Sequence, residues 1–379
     1  MGRGMTYIIL LYGYVMFVLL LGVLSIRYVV NYPYKFCCLL SVVSFGLLAA
    51  FRPDFFRDTA TYIQQYKDVD WSYMDGINLL AKESKLRVEY GYIFLMNIFK
   101  SIGLPYQFFF MSVSVFGILV MFNWIKEFGS YISLNQIKNG YFFCIFTVIL
   151  FHFGIFYSMV AIRSFLSLSL LMLTAINVKN RKNILAVICF LCAFSVQRMS
   201  LLGLLPIIII LLKNKIIIKK EWFVFIWIIL GAVLFTQYRT NSLMNTLGIQ
   251  LQTIYNTIMK TEITLGFDKI SNQSITKAII YFGYWINGII YIFQYKENRN
   301  YSKFVIIYIF GLLLGAIVCG YPPSYRIVDY IYIYSLPVNY IALSEINKNY
   351  WKSKVCILMV FGAFYLVWFK SFVEWYRFG

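Results

Sequence analysis

The sequence has very little histidine, a residue on which many catalytic and metal sites depend. Its single histidine, His152, lies inside an apolar run, where a buried packing role is expected. Cysteine and carboxylate residues do not group with it at a metal-ligand spacing. A membrane acyltransferase with a catalytic histidine is therefore disfavoured, and we expect neither a bound metal nor another cofactor.

Charged side chains are also scarce, at 13% of the residues against 61% hydrophobic residues. Soluble domains carry about 25% charged residues. Apolar runs recur from residue 7 to residue 372, each near the length that crosses a bilayer. The sequence therefore predicts an all-α polytopic membrane protein in which residues 1–379 form a single integral-membrane domain.

Acidic residues are fewer than basic ones, 15 against 34, and the formal net charge is +19. The basic residues lie mostly between apolar runs, as expected of short cytoplasmic loops, so a nucleic-acid partner is not indicated. The seven cysteines fall in or beside apolar runs and are interpreted as packing residues. Cys189 and Cys192 form a CxxC pattern, but inside a membrane helix we expect no redox or metal role.

The basic loops orient the predicted helices. The short basic segments expected in the cytoplasm are residues 179–182, 213–220, 296–303 and 348–354. Counting along the chain places 126–138 inside as well, after a span over 106–125. The result is about twelve transmembrane helices with both termini outside. Two long loops, 52–105 and 238–277, then lie on the external side.

Three apolar segments are short for a membrane span. Segment 90–99 is predicted to be an interfacial or re-entrant helix within the first external loop. Segments 184–196 and 199–212 predict helices of roughly 20 Å each at about 1.5 Å per residue. The turn between them, Gln197-Arg198, cannot easily reach the far surface. We therefore expect it to lie recessed beneath the outer face.

A cluster of ionisable residues follows directly on an apolar run. Residues 52–58 read Arg-Pro-Asp-Phe-Phe-Arg-Asp, and ionisable groups beside lipid are costly and usually functional. Arginine binds phosphate well because its charge is permanent and its donors form a rigid fork. A nearby carboxylate can take a proton from a hydroxyl. This pattern indicates a lipid-phosphate substrate.

On the predicted topology, polar residues from several parts of the chain meet at the external face. We expect a diphosphate to be bound by arginines, because it offers several charged acceptor oxygens. The diphosphate-binding candidates are Arg52, Arg57, Arg163, Arg198 and Arg326. The candidates for contact with sugars or hydroxyls are Tyr62, Tyr157, Gln197, Tyr325 and Asp329. The candidate general bases are Asp58, the first choice, and Glu89, the second.

Structural alternatives stand beside these roles. Arg163, Arg198 and Arg326 are each open to interpretation as anchors for lipid headgroups. Arg57 and Asp58 are equally compatible with an exposed loop ion pair, which contributes little. Glu89 is placed to cap the following short helix, whose N-terminus favours a carboxylate. For Asp58 and Glu89 both interpretations stay open.

The order of these motifs resembles the EpsG family of bacterial exopolysaccharide proteins and, more broadly, Wzy-type O-antigen polymerases. Chains of that family show an arginine, an Asp-Thr and a tyrosine shortly after a span. The matching residues here are Arg52, Asp58, Thr59 and Tyr62. A glutamate and a glycine then open an apolar stretch, as Glu89 and Gly91 do.

The resemblance continues to about residue 330, with two departures. The family's Ile-Arg-Gln is matched by Ile162 and Arg163, but Ser164 replaces the glutamine. Its Phe-His-x-Ser-Ala has no histidine here, and Gln197 or Arg198 stands near that position. The family's late arginine with aromatic neighbours is matched by Tyr325, Arg326 and Tyr330.

The resemblance implies a polymerase with a GT-C-like glycosyltransferase fold in the bacterial inner membrane, active at its periplasmic face. A growing glycan would leave undecaprenyl diphosphate and join the non-reducing-end hydroxyl of a new lipid-linked repeat unit, without a metal. A chain-length regulator protein is a possible partner. The main rival is a lipid-linked oligosaccharide flippase or another transporter, although transporters tend to have short loops and detectable repeats. A non-catalytic assembly partner is the remaining alternative.

Overall fold

The structure is a computed structural model that describes part of the chain. The described residues are 10, 13, 34–52, 58–69, 89–133, 161–212, 217–240, 275–319 and 324–345. Within these ranges the side chains of 34–41, 238–240, 275–280, 324–326 and 342–345 are not described.

All regular secondary structure in these ranges is helical, in agreement with the predicted all-α class. The α-helices are α1 (Tyr34–Ala50), α2 (Thr59–Asp68), α3 (Tyr90–Ser101), α4 (Tyr106–Ser133), α5 (Ile162–Lys179), α6 (Asn183–Val196), α7 (Leu204–Leu211), α8 (Lys220–Thr240), α9 (Ile275–Ile286), α10 (Gly288–Phe293), α11 (Arg299–Val318), α12 (Ser324–Tyr332) and α13 (Leu336–Glu345). Two 3-10 turns, Arg198–Gly203 and Ile333–Ser335, complete the described helical structure.

Long apolar helices identify a membrane protein. In the described part of the chain, 4 helices are long and apolar enough to cross a bilayer, and they lie in α4, α5, α8 and α11. Helix α8 buries only 17% of its most apolar window. Its exposed Trp222, Phe225 and Phe235 therefore present an apolar surface that lipid would cover.

The short helix predicted over 184–196 is confirmed by α6, whereas the segment predicted as a helix over 199–212 begins as a 3-10 turn and is α-helical only in α7. Helix α6 ends at Val196, and Gln197 adopts an extended backbone with φ −156° and ψ 121°. The 3-10 turn then leads into α7, where Pro206 lies in the first turn, a position that proline tolerates. The described chain falls into two compact units, 1–203 with 343–379 and 204–342. The single-domain interpretation stays a prediction.

In the first unit, α4 packs against both α1 and α5. The α4–α5 contact depends on Gly117, because a Cβ there would lie 2.0 Å from the ring of Phe165. Phe109, near the start of α4, packs its ring against Tyr66 of α2 and against Tyr92 and Phe99 of α3. The short helices of the first predicted loop are thus fixed to the start of α4 by aromatic contacts.

The end of α4 differs from the prediction. A loop was expected from residue 126, but the helix continues to Ser133. Trp124, Phe128 and Ile132 are fully buried at a spacing of four, so the packed face of the helix simply continues. Lys179 also stabilises this end of α4, because its Nζ donates hydrogen bonds to the backbone carbonyl and to Oε2 of Glu127, each at 2.7 Å.

The second unit is built around α8 and α11. Trp227 of α8 and Trp285 of α9 stack at 4.7 Å with an interplanar angle of 7°. Each indole N–H donates to the backbone carbonyl of the other residue, at 2.8 and 3.1 Å. The Tyr308 hydroxyl donates to the same region, to the carbonyl of Tyr284 at 2.7 Å. The two indole N–H groups and the Tyr308 hydroxyl are therefore held by defined hydrogen bonds.

Candidate functional site

An ion pair between Glu89 and Arg163 joins two of the predicted site segments. Glu89 lies immediately before α3, and Arg163 is the second residue of α5. Arg163 Nη1 is 2.8 Å from Glu89 Oε2, and the two side chains are 24% and 20% exposed. Oε2 is not aligned for a hydrogen bond, so the contact is mainly electrostatic. Residues far apart in the sequence thus meet at one end of α5.

A third segment reaches the same carboxylate. The backbone N–H of Arg198 donates to Glu89 Oε1 at 3.5 Å, a long hydrogen bond. Glu89 stands at the N-cap position of α3, but its side chain makes no capping hydrogen bond. The N-cap position expected for Glu89 is therefore confirmed, whereas a capping hydrogen bond from its side chain is not formed. The carboxylate faces Arg163 and the turn after α6.

The position of Glu89 depends on a close contact between α3 and α6. A Cβ on Gly91 would lie 2.2 Å from Ser195 Oγ and 2.9 Å from the Ser195 carbonyl carbon. Only a glycine lets the first turn of α3 approach the end of α6 this closely. The Glu-Tyr-Gly motif therefore couples the glutamate to the glycine that brings it beside residues 197–198.

We expect Gly91→Ala to lower stability by about 1–3 kcal/mol, because the added methyl must displace Ser195 and its backbone. Thermal unfolding in detergent would show this as a lower Tm. Gly283→Ala is the matched control. Gly283 lies in α9 with no atom within 4 Å of its Cβ position, so alanine should stabilise that helix or leave it unchanged. Equal Tm values for both variants would contradict the close-contact argument.

Arg52 lies at the same end of this unit and is buried. Its side chain is 4% exposed, and its guanidinium carbon lies 4.0 Å from the centre of the Phe110 ring. It is also 5.9 Å from the ring of Tyr62, which in turn lies 5.9 Å from the ring of Tyr92. Cation–π contacts of a desolvated arginine are worth about 2 kcal/mol. These aromatic rings hold the charge in place.

Tyr92 connects the two arginines. It is fully buried, and burial raises the pKa of its hydroxyl well above the usual value. Tyr62 raises that pKa further, while Arg52 and Arg163 lower it, so both guanidinium groups act on one phenol. Sequence analysis did not identify Tyr92 because it lies in an apolar run. Its spacing of three from Glu89, which places both on one helical face, was the available signal.

Asp58 and Thr59 open α2. Asp58 occupies the N-cap position, and its side chain makes no capping hydrogen bond. The backbone N–H of Tyr62 donates to the Asp58 carbonyl at 3.0 Å, which places the aspartate one turn from the aromatic contacts of Arg52. Thr59 is fully buried, and its Oγ1 has no hydrogen-bond partner in the part of the chain that the structure describes.

Gln197 and Arg198 turn in different directions. Gln197 is 4% exposed, and no hydrogen-bond donor among the described residues reaches its Oε1. The Arg198 side chain is exposed. Gln197 is therefore buried in the protein, whereas the next residue, Arg198, exposes its side chain and contributes its backbone N–H to the Glu89–Arg163 pair.

The remaining candidates are placed only in part. Arg57 and Tyr157 lie outside the described residues, as does most of the second predicted loop. Tyr325 and Arg326 belong to α12, but their side chains are not described. Asp329 is fully buried in the second unit, where it accepts a hydrogen bond from the Tyr284 hydroxyl. The roles of all these residues stay predictions.

The helices and the site together define a polytopic α-helical membrane protein. In its first unit, arginine, carboxylate and aromatic side chains from separate segments meet at one end of the helices. The family model described as EpsG family matches residues 34–378. The chain belongs to the EpsG family, a family of Wzy-type polymerase-like membrane proteins. No curated protein and no solved structure matches it significantly.

Proposed function

We propose that this protein is a polysaccharide polymerase that elongates an O-antigen or exopolysaccharide at the periplasmic face of the bacterial inner membrane. Its substrates would be repeat oligosaccharides linked to undecaprenyl diphosphate. The observation that carries the proposal is the Glu89–Arg163 pair, at 2.8 Å. A guanidinium held in place by a carboxylate at one end of the helices is suited to bind the phosphate of a lipid-linked substrate.

The proposed reaction is a single displacement at the anomeric carbon of the growing glycan. The non-reducing-end hydroxyl oxygen of the new lipid-linked unit forms a bond to that carbon. The bond to the diphosphate oxygen breaks, and its electron pair leaves with undecaprenyl diphosphate. The hydroxyl proton passes to a carboxylate. Such a displacement inverts the anomeric configuration, and it needs positive charge where the leaving group forms.

In this proposal Arg163, Arg198 and Arg326 stabilise the leaving diphosphate without a metal, and Arg52 and Arg57 extend the positive surface. Arginine is suited to this role because its fork can bind two phosphate oxygens at once. Lipid-headgroup anchoring remains the alternative for the exposed Arg198 side chain.

Asp58 is the preferred general base. Both oxygens of Glu89 are already occupied, Oε2 by Arg163 and Oε1 by the Arg198 amide. The Asp58 carboxylate is not used to cap α2, although it stands at the cap position. Glu89 is then best placed as the group that orients Arg163, and it is the second choice for the base.

Sugar recognition is assigned to the polar and aromatic residues that the sequence predicts at the external face. Gln197 presents a buried Oε1 that a sugar hydroxyl could satisfy. Tyr62, Tyr157 and Tyr325 would pack on sugar rings, and Asp329 would bind a hydroxyl. The proposed protein partner is a regulator of chain length.

We further propose about twelve spans in a GT-C-like arrangement, with the site end of α5 facing the periplasm. Residues at opposite ends of the first unit can test this orientation. Gln64, exposed on α2, should become labelled from outside after Gln64→Cys, whereas Arg181→Cys should react only in permeabilised cells. A membrane-impermeant maleimide, compared with wild type, makes the measurement. The reverse labelling pattern would place the site in the cytoplasm.

The function is tested by removing the gene from its host. Loss of a polymerase should leave glycan one repeat unit long at the cell surface. Loss of a flippase should instead retain lipid-linked units on the cytoplasmic face. Accessibility of the units to a lectin or antibody, with and without permeabilisation, separates these outcomes, and retention inside would replace the polymerase proposal.

A further inference from the structure

The hydroxyl of Tyr92 is a polar group that the fold does not use. Tyr92 is 0% exposed, and its oxygen has no hydrogen-bond partner within the described residues. A buried polar group without a partner costs free energy, and native proteins rarely keep one without a functional reason.

Packing does not explain this hydroxyl. The ring of Tyr92 lies 5.9 Å from that of Tyr62 and 5.6 Å, edge to face, from that of Phe109. A phenylalanine at position 92 would make the same ring contacts. The contacts therefore account for an aromatic residue at this position, but the oxygen needs another explanation.

The surroundings of Tyr92 are positively charged. Both Arg52 and Arg163 act electrostatically on its hydroxyl. The side chains of Arg163 and its partner Glu89 are partly exposed, by 24% and 20%, whereas Tyr92 is buried. A ligand that enters at this end of the helices therefore meets the ion pair first. A neutral O–H donor beside Tyr62, whose ring Arg52 contacts, and within the field of both guanidinium groups matches an anionic oxygen.

We propose that Tyr92 is a further substrate-binding residue, whose hydroxyl donates a hydrogen bond to a phosphate oxygen of a prenyl diphosphate held by Arg52 and Arg163. This inference rests on the proposed function, because it concerns the lipid diphosphate of that reaction. Binding opens the Glu89–Arg163 pair, since the phosphate takes the place of the carboxylate at the guanidinium. The ligand thereby satisfies a buried donor that has no hydrogen-bond partner among the described residues.

The chain offers a matched pair of tyrosines for the test. Tyr66 packs on the same Phe109 ring, but its hydroxyl donates to the carbonyl of Leu104 at 2.6 Å. Tyr66→Phe should lower the Tm, since it removes a hydrogen bond of the fold, and leave ligand binding unchanged. Tyr92→Phe should leave the Tm unchanged or raise it. The same variant should weaken binding of undecaprenyl diphosphate by about tenfold or more.

Binding to the purified full-length variants is measured with undecaprenyl diphosphate, undecaprenol and inorganic pyrophosphate. A loss confined to undecaprenyl diphosphate supports the proposal with a lipid headgroup as ligand. An equal loss for pyrophosphate supports it with the phosphate group alone as the determinant. An equal loss for undecaprenol, wild-type binding by Tyr92→Phe, or no binding by wild type would overturn it.

The outcome is separable from that of the proposed function, because binding needs no elongation. If wild type fails to elongate glycan while Tyr92→Phe still loses diphosphate binding, the polymerase proposal fails and this contact stands. If wild type elongates and Tyr92→Phe binds normally, the assignment of Tyr92 fails alone.

Discussion

Arg163→Ala is expected to reduce chain elongation by about 10²–10³-fold and to leave single repeat units on the cell surface. The reason is that the guanidinium would stabilise charge that develops on the leaving diphosphate. Its contact with Glu89, at 2.8 Å, also fixes the position of that carboxylate. Gel analysis of surface glycan, normalised to the amount of protein in the membrane, gives the measurement. The same loss is expected for Arg326→Ala.

Two further variants separate catalysis from folding. Arg181→Ala changes an exposed arginine at the opposite end of α5, in the turn before α6, and should keep the wild-type chain-length distribution. The exchanged pair Arg163→Glu with Glu89→Arg restores opposite charges. Activity rescued by the exchange would show that the pair is only structural, whereas inactivity with normal protein levels supports a role in the reaction.

Asp58→Asn is expected to abolish elongation, by about 10²–10⁴-fold, with normal protein levels. Asparagine keeps the shape of the side chain but cannot take a proton from the acceptor hydroxyl. The fold should tolerate the change, because Asp58 stands at the N-cap position of α2, where asparagine is as favourable as aspartate. Elongation by the purified variant, with lipid-linked repeat units as substrate, measures the loss directly.

Asp68→Asn is the matched control for Asp58→Asn, since Asp68 ends the same helix. Its carboxylate oxygens each accept from Gln64 Nε2 at 2.8 Å in an exposed position. It should elongate glycan at the wild-type rate. Wild-type chain length from Asp58→Asn would remove Asp58 as the base and leave Glu89 as the candidate.

The lengths of the apolar runs in the sequence predicted many of the helices. The pair of short helices around Gln197 and the short helix that begins at Tyr90 follow from apolar runs bounded by polar residues. The end of α4 did not follow, because Lys126 and Glu127 read as a loop. Their helix is kept by burial of Trp124 and Phe128, a tertiary contact that charge patterning does not show.

The sequence predicted which residues belong to the candidate site, but not which of them contact each other. Arginine and carboxylate residues beside apolar runs could be selected because such residues are costly near lipid. Which carboxylate meets Arg163 depends on the close approach allowed by Gly91, a three-dimensional contact. Tyr92 and Phe110 were missed because an aromatic residue in an apolar run resembles ordinary core. Only the structure shows the cation–π contact of Arg52 with Phe110, in which the guanidinium carbon lies 4.0 Å from the ring centre.

The most direct test is to incubate the purified protein with lipid-linked repeat units alone, in the presence of a chelator and without nucleotide. The account predicts lipid-linked products two or more units long, with one lipid diphosphate released for each glycosidic bond formed. It also predicts that Arg163→Ala forms no such products. A folded wild-type protein that leaves every unit unjoined would contradict it.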